Sequence, residues 1–161
     1  MIFVTVGGGA YYQFDRLIKK VDEISEKQGL DIVAQIGCGK YEPRYARYFR
    51  FTSMSDMINF YGNASLIIAH ASGAPILYAR DFNLPLIIVP RMKEYKEIFD
   101  NHQYITAKHC ELFDMIEIVY QINDLKEAIN VSLQKKRLWV PSFSRQVVIE
   151  HLREYTQTLK G

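Results

Sequence analysis

Ile67-Ile68-Ala69-His70-Ala71-Ser72-Gly73-Ala74-Pro75-Ile76-Leu77-Tyr78-Ala79-Arg80 is followed by Leu84-Pro85-Leu86-Ile87-Ile88-Val89-Pro90-Arg91, and Asp100-Asn101-His102-Gln103 closes the stretch. Two short apolar runs, Leu66–Ala69 and Leu84–Val89, each give way at once to small or polar residues and then to a helical pattern. Continuous apolar runs of this length are what a strand buried on both faces requires. In an open α/β sheet the turns that follow such strands lie at the carboxyl edge, where ligands bind.

The same alternation extends in both directions. Ile2–Val6 reads as a buried strand, Gly7-Gly8-Gly9-Ala10 as a turn, and Phe14, Leu17, Ile18, Val21 and Ile24 as one face of a helix stopped by Gly29. A second strand spans Asp31–Ile36 and ends in Gly37-Cys38-Gly39; a loop then leads into a short strand at Tyr48–Phe51. Ser53-Met54-Ser55-Asp56 has capping-box spacing with Asp in place of Glu and opens a helix to about Asn63. Helices are expected at Ala74–Asp81 and from Asn101 to His109, strands at Pro85–Val89 and Met115–Tyr120, and a charged loop at Lys93–Glu97. Asn123-Asp124 caps a further helix through about Leu133. Strand and helix in alternation predict a doubly wound parallel sheet of five or six strands.

The pattern breaks at Lys135-Lys136-Arg137-Leu138-Trp139-Val140-Pro141. Beyond it Phe143, Val147, Val148, Leu152, Tyr155 and Leu159 form one stripe of an amphipathic helix. The expected division is therefore residues 1–134 as the sheet domain and 135–161 as a basic linker with a C-terminal amphipathic helix. Residues 135–161 carry six Lys/Arg against two Glu, in a chain of 161 residues with a net charge of only +2. A solvated helix face is the simpler reading of this tail, and an acidic partner or an anionic membrane surface the other. Basic and aromatic residues interleave through Lys40–Arg50, but one short loop without a repeat does not make a nucleic-acid site. Cys38 and Cys110 lack metal-ligand spacing and read as free thiols. No run approaches the roughly 20 apolar residues that span a bilayer, and Met1–Val6 is no signal peptide. A soluble, cytoplasmic protein is expected.

Gly7, Gly8 and Gly9 leave backbone amides free to approach an anion ahead of a helix, or serve only the geometry of a tight turn. In the second turn His70 is followed by small residues, so that Ser72, Gly73 and Ala74 could sit against a diphosphate, and Pro75 suits a first helical turn. A histidine after a strand is as readily a structural residue. Arg91, directly after a strand, could face an anion at the same edge. Asn101, His102 and Gln103 offer hydrogen-bonding groups suited to sugar hydroxyls, or an ordinary helix start. No Ser-His-Asp order, HExxH motif, carboxylate pair or Cys/His metal constellation is present, and no cofactor is implied. The chain is better equipped to hold a ligand than to break a bond.

Met1-Ile2-Phe3-Val4-Thr5-Val6-Gly7, Gln13-Phe14-Asp15-Arg16-Leu17, Gln35-Ile36-Gly37, Lys40-Tyr41-Glu42-Pro43, Ile87-Ile88-Val89-Pro90-Arg91 and Asp100-Asn101-His102-Gln103 together resemble the glycosyltransferase family 28 C-terminal domain, most of all its small stand-alone members. Those are soluble subunits of two-part transferases: the eukaryotic enzyme that passes GlcNAc from UDP-GlcNAc to a dolichol-linked acceptor, and bacterial relatives in capsule and exopolysaccharide synthesis. The resemblance implies a Rossmann-like domain, the C-terminal half of a GT-B glycosyltransferase, which binds a UDP-sugar donor. It also implies a membrane-anchored subunit that holds a lipid-linked acceptor, inverting transfer between the two, and a location at the inner face of the membrane through that partner. Gly7–Gly9 and the His70 loop would face the diphosphate, Arg91 the nucleotide pocket, and Asn101, His102 and Gln103 the sugar. The catalytic base would come from the partner.

The chain departs from the family pattern in its first two turns. It has Val6-Gly7-Gly8-Gly9 where Val-Gly-Thr and a polar residue are usual, His70-Ala71-Ser72-Gly73-Ala74-Pro75 where His-Gly-Gly-Ala-Gly-Ser is usual, and Tyr78 where a Glu commonly meets the ribose. A phenol cannot accept paired ribose hydrogen bonds as a carboxylate does. A degenerate, non-catalytic assembly or activating subunit is therefore the alternative.

Overall fold

The computed structural model describes residues 1–9 and 12–134. The expected basic linker and the Phe143–Leu159 helix lie outside the described residues. Among the described residues six strands and five helices follow in the order β1 Ile2–Thr5, α1 Asp15–Gln28, β2 Ile32–Gln35, β3 Arg47–Phe49, α2 Met54–Gly62, β4 Leu66–Ala69, α3 Gly73–Asp81, β5 Leu86–Ile88, α4 His102–Cys110, β6 Ile116–Ile118 and α5 Leu125–Gln134, with β3 following β2 through a loop. The expected loop at Lys93–Glu97 holds a short 3-10 turn at Lys93–Tyr95. A second turn at Ile122–Asp124 leads into α5 where a simple cap was expected.

The strands pair in the order β3-β2-β1-β4-β5-β6, every pair parallel. This is the doubly wound arrangement, and the strand order reverses between β1 and β4. Ile2 pairs with both Ile32 and Leu66, and Thr5 with both Gln35 and Ala69, so the three central strands end level. The pleat sends Ile2, Val4 and Val6 into a core shared with Leu17, Val21 and Ile129, while Phe3 enters the opposite core with Tyr61 and Ile67. On that side Phe3 stacks on Phe60 at 5.3 Å and meets the edge of Tyr61 at 5.1 Å. Burying a side chain of this size stabilises the fold by roughly 2–3 kcal/mol. Both faces being covered explains why the strands read as unbroken apolar runs.

Local signals terminate the helices as expected at two points. Gly29 adopts φ 63° and donates its N–H to Ser25 O, closing α1. Ser53 accepts the Asp56 amide at 3.1 Å and starts α2. The Asp56 carboxylate also takes the hydroxyls of Ser53 and Thr52, and these bonds, with the Ser53 backbone amide, hold the carboxyl below its ordinary value.

Asp22 is a structural residue that the periodicity of α1 conceals. It is 2% exposed, and its carboxylate accepts the amides of Arg44, Tyr45 and Ala46 at 2.8–2.9 Å and the Tyr41 hydroxyl at 2.7 Å. The Lys40–Arg50 loop is thus threaded over a buried acceptor. Its arginines also bond within the fold: Arg47 pairs with Asp31, and Arg50 with Glu42 and the carbonyls of Gly37 and Gly39. Burial disfavours the Asp22 anion, but the hydrogen bonds from Arg44, Ala46, Tyr41 and Tyr45 prevail and hold the carboxyl below its ordinary value of 3.8. Its stabilisation is present above that value and is lost as pH falls below it. Replacing Asp22 by Asn supplies N–H groups where donors converge. We expect Asp22→Asn to lose about 3 kcal/mol in denaturant unfolding at neutral pH, and to lose the wild-type steepening of acid unfolding below about pH 4.

Candidate functional site

The crevice at the carboxyl ends of β1 and β4 is built from three turns that lock into one another. Gly7, after β1, has φ +77°, and a Cβ placed on it would lie 2.9 Å from His70 Cε1. Gly37, after β2, has φ +52°, and its Cβ would lie 2.8 Å from the Gly7 carbonyl oxygen. Only glycine meets both demands, a left-handed backbone and a neighbour in van der Waals contact. Behind the turn, the Gly7 amide donates to Thr5 Oγ1 at 3.3 Å, and the Thr5 hydroxyl donates to Gln35. Gly8 and Gly9 face solvent, and space around Gly8 is open.

The turn after β4 starts α3. The Ser72 amide donates to His70 O at 2.9 Å, and the Ser72 side chain makes no capping bond. The first-turn amides of Gly73 and Ala74 have no intrahelical acceptor, both residues are exposed, and a Cβ on Gly73 would meet nothing within 4 Å. Pro75 stands at the third helical position and removes one N–H from the set. What remains is a short row of amides at a positive helix end, the arrangement that favours an anion.

His70 and Arg91 lie beneath these turns. Burial first, and the charge of Arg91 second, pull the His70 pKa from 6.5 down to about 4, against a bond with Thr5 that works the other way. The ring is therefore neutral at pH 7, and its Nδ1 is buried without a hydrogen-bond partner. Arg91 is 4% exposed. Its Nη2 donates to Val6 O at 2.7 Å and reaches Tyr12 O at 3.5 Å, and its guanidinium lies 4.9 Å from the centre of the Phe14 ring. Burial pulls its pKa down to about 10, opposed by Glu97 and Tyr12, so it stays charged at neutral pH. Its Nε is buried without a partner. A neutral imidazole and a buried cation, each with an unused nitrogen, underlie the row of free amides.

The third segment divides. Gln103 is buried, and its Oε1 accepts the Arg91 backbone amide at 3.0 Å. Asn101 and His102 are exposed; His102 donates its amide to Asp100 Oδ1 at 3.1 Å, and its Nδ1 lies in short contact with the same oxygen. Arg91 and Gln103 thus brace the crevice from inside, while Asn101 and His102 form its rim. Two bracing residues were not singled out in the sequence. Arg16 grips Glu97 through Nε at 2.8 Å and Nη2 at 2.9 Å and donates to Pro90 O, and Glu97 accepts the Met92 amide. Their separation of 81 residues left no local signal. Tyr78 stacks on Tyr61 with ring centres 4.6 Å apart and gives its hydroxyl to Met54 Sδ. Among the described residues no three His, Cys, Asp or Glu side chains gather as a metal site, and no helix is long and apolar enough to cross a membrane.

A model of the glycosyltransferase family 28 C-terminal domain matches residues 1–141. The chain belongs to this family. No curated protein sequence matches it. Among solved structures, the calicheamicin glycosyltransferase CalG4 superposes with a TM-score of 0.63 at 12% identity over 83% of this chain and 34% of its own. The Methanocaldococcus jannaschii UDP-GlcNAc 2-epimerase, in complex with UDP-GlcNAc and UDP, gives 0.62 at 16% identity over 95% and 45%. Acinetobacter baumannii MurG gives 0.54 at 17% over 80% and 40%. At these identities the likeness is one of fold, the Rossmann-like C-terminal half of the GT-B architecture. This family 28 domain spans less than half the length of each.

Two consequences are measurable. Gly7→Ala should cost about 3 kcal/mol, of which about 1 is the left-handed backbone and the rest the collision with His70; in a His70→Ala background the same change should cost only about 1 kcal/mol, as read by a double-mutant cycle in urea. Because the His70 pKa is depressed by folding, its contribution is complete above pH 6.5 and is lost as pH falls toward 4, on the order of 3 kcal/mol. His70→Gln should flatten the pH dependence of the melting temperature within that window.

Proposed function

We propose that this family 28 domain is the UDP-sugar-binding subunit of a two-part inverting glycosyltransferase, acting on a lipid-linked acceptor held by a membrane-anchored partner in cell-surface polysaccharide synthesis. The observation that carries the reading is the switch-point crevice, where exposed glycines after β1 face the uncapped start of α3 over a buried cation. A diphosphate would take the amides of Gly8, Gly9, Gly73 and Ala74, with Ser72 free to add a hydroxyl. Arg91 acts through its field rather than by contact. His70, held neutral, adds no charge of its own beside the diphosphate.

In the proposed transfer an acceptor hydroxyl attacks the anomeric carbon, a new C–O bond forms, and the bond from that carbon to the diphosphate oxygen breaks. UDP leaves with the electron pair, and the proton from the hydroxyl passes to a base of the partner. This chain contributes placement and stabilisation of the leaving diphosphate by fixed amides, which need no reorganisation as charge develops. The partner would hold the subunit at the membrane surface.

The second reading, a non-catalytic assembly or activating subunit, is favoured by Pro75 and Tyr78. One amide is missing from the phosphate row, and the phenol that replaces the ribose carboxylate is packed against Tyr61. Titration calorimetry with UDP and a set of UDP-sugars, on the full chain alone and in complex with the acceptor-binding subunit, separates the two. The donor-binding reading expects UDP binding that Gly73→Glu weakens at least tenfold by placing an anion at the helix start. An active complex whose family 28 subunit binds no UDP, alone or assembled, overturns it in favour of the second reading.

A further inference from the structure

Two aromatic rings join the glycine turn to the Asp100–Gln103 segment. Tyr12 lies against Gly9, where a Cβ would come within 3.7 Å of Tyr12 Cδ2. Phe99 packs on Tyr12 with ring centres 6.1 Å apart and planes tilted by 35°, and the His102 ring follows Phe99 at 6.2 Å and 48°. These separations fall within the range of favourable aromatic pairing. The result is a continuous wall, Gly9–Tyr12–Phe99–His102, linking parts of the chain some ninety residues apart.

The wall is anchored at both ends yet open in the middle. Arg91 reaches the Tyr12 carbonyl from below, and Asp100 holds the His102 ring. Phe99 between them is 66% exposed. A large aromatic side chain held in a row between the Tyr12 ring, tied to the buried Arg91, and the Asp100–His102 pair, and left this open beside polar groups, is a recognition surface. The wall starts where the diphosphate is placed and ends at the exposed amide of Asn101 and the imidazole of His102. A pyranose ring has an apolar C–H face and a rim of hydroxyls. Phe99 and Tyr12 match the first, and Asn101 and His102 match the second.

We propose that the Tyr12–Phe99 wall is the platform on which the hexosyl ring of the donor stacks, and that Phe99 sets the preference for UDP-sugar over bare UDP. The inference rests on the donor-binding reading and assigns the sugar end of that same site. An apolar protein partner could cover Phe99 too, but would have no use for the polar rim or for the approach from Gly9.

The test is calorimetric titration of the full chain with UDP, UDP-GlcNAc, UDP-glucose and UDP-galactose. Phe99 is exposed, so substitution there leaves the core intact. Phe99→Ala should weaken the best-bound UDP-sugar roughly fivefold while changing UDP affinity less than about twofold. Phe99→Trp should restore sugar affinity, and Phe99→Leu, which keeps apolar area without a π face, should not. Unchanged UDP-sugar affinity in Phe99→Ala, equal weakening of UDP and UDP-sugar, or full rescue by Phe99→Leu each overturns the platform while leaving donor binding in place. A wild-type chain that binds neither UDP nor any of the sugars overturns both.

Discussion

The buried guanidinium of Arg91 is the interaction on which the rest of the site depends. It leaves the end of β5, crosses beneath the glycine turn to the carbonyl of Val6, and lies over Phe14 at the start of α1. Its own backbone amide is held by Gln103 of α4. One charged group therefore sets the relative positions of two strand ends and two helix starts. A buried cation is costly unless it is compensated; here the Val6 and Tyr12 carbonyls and the Phe14 ring face compensate one side of the guanidinium, while its Nε stays unpartnered. The Arg16–Glu97 pair then fixes the loop that follows, so that loop is tied to α1 on both sides of Arg91.

The same charge shapes the chemistry above it. With burial, it keeps His70 neutral, so the crevice is electropositive without presenting a mobile cation to solvent. An anion arriving at the switch point meets oriented amides and a fixed field, which suits a diphosphate that must be held and then released. The chain belongs to family 28 and carries the GT-B-like sheet. On the proposed reading, Pro75 removes one amide and Tyr78 is packed against Tyr61, which leaves the remaining amides and the aromatic wall to carry more of the recognition.

The sheet was legible because its strands are covered on both faces, and Ile2–Val6, Leu66–Ala69 and Leu86–Val89 therefore show unbroken apolar runs. Gly29 and Ser53 marked helix ends through chemistry confined to four or five residues. The candidate site was legible as a set of turns but not as an arrangement. Nothing near Arg91 in the sequence says that it turns inward, since its partners are Val6, Tyr12 and Gln103. The same holds for Gln103, which sits beside the exposed His102 yet faces the opposite way. Asp22 shares the spacing of an exposed helical position, and only the path of the Lys40–Arg50 loop buries it. Phe99 carries no motif at all; its significance comes from Tyr12, brought beside it by the β1–β5 geometry.

The most direct measurement is amide chemical-shift mapping of the full chain titrated with UDP. The account predicts the largest shifts at Gly8, Gly9, Ser72, Gly73 and Ala74, saturating together with a single dissociation constant. Shifts confined elsewhere, such as the surface cavity lined by Phe49, Thr52, Asn59 and Phe60, with these five amides unmoved, would contradict it.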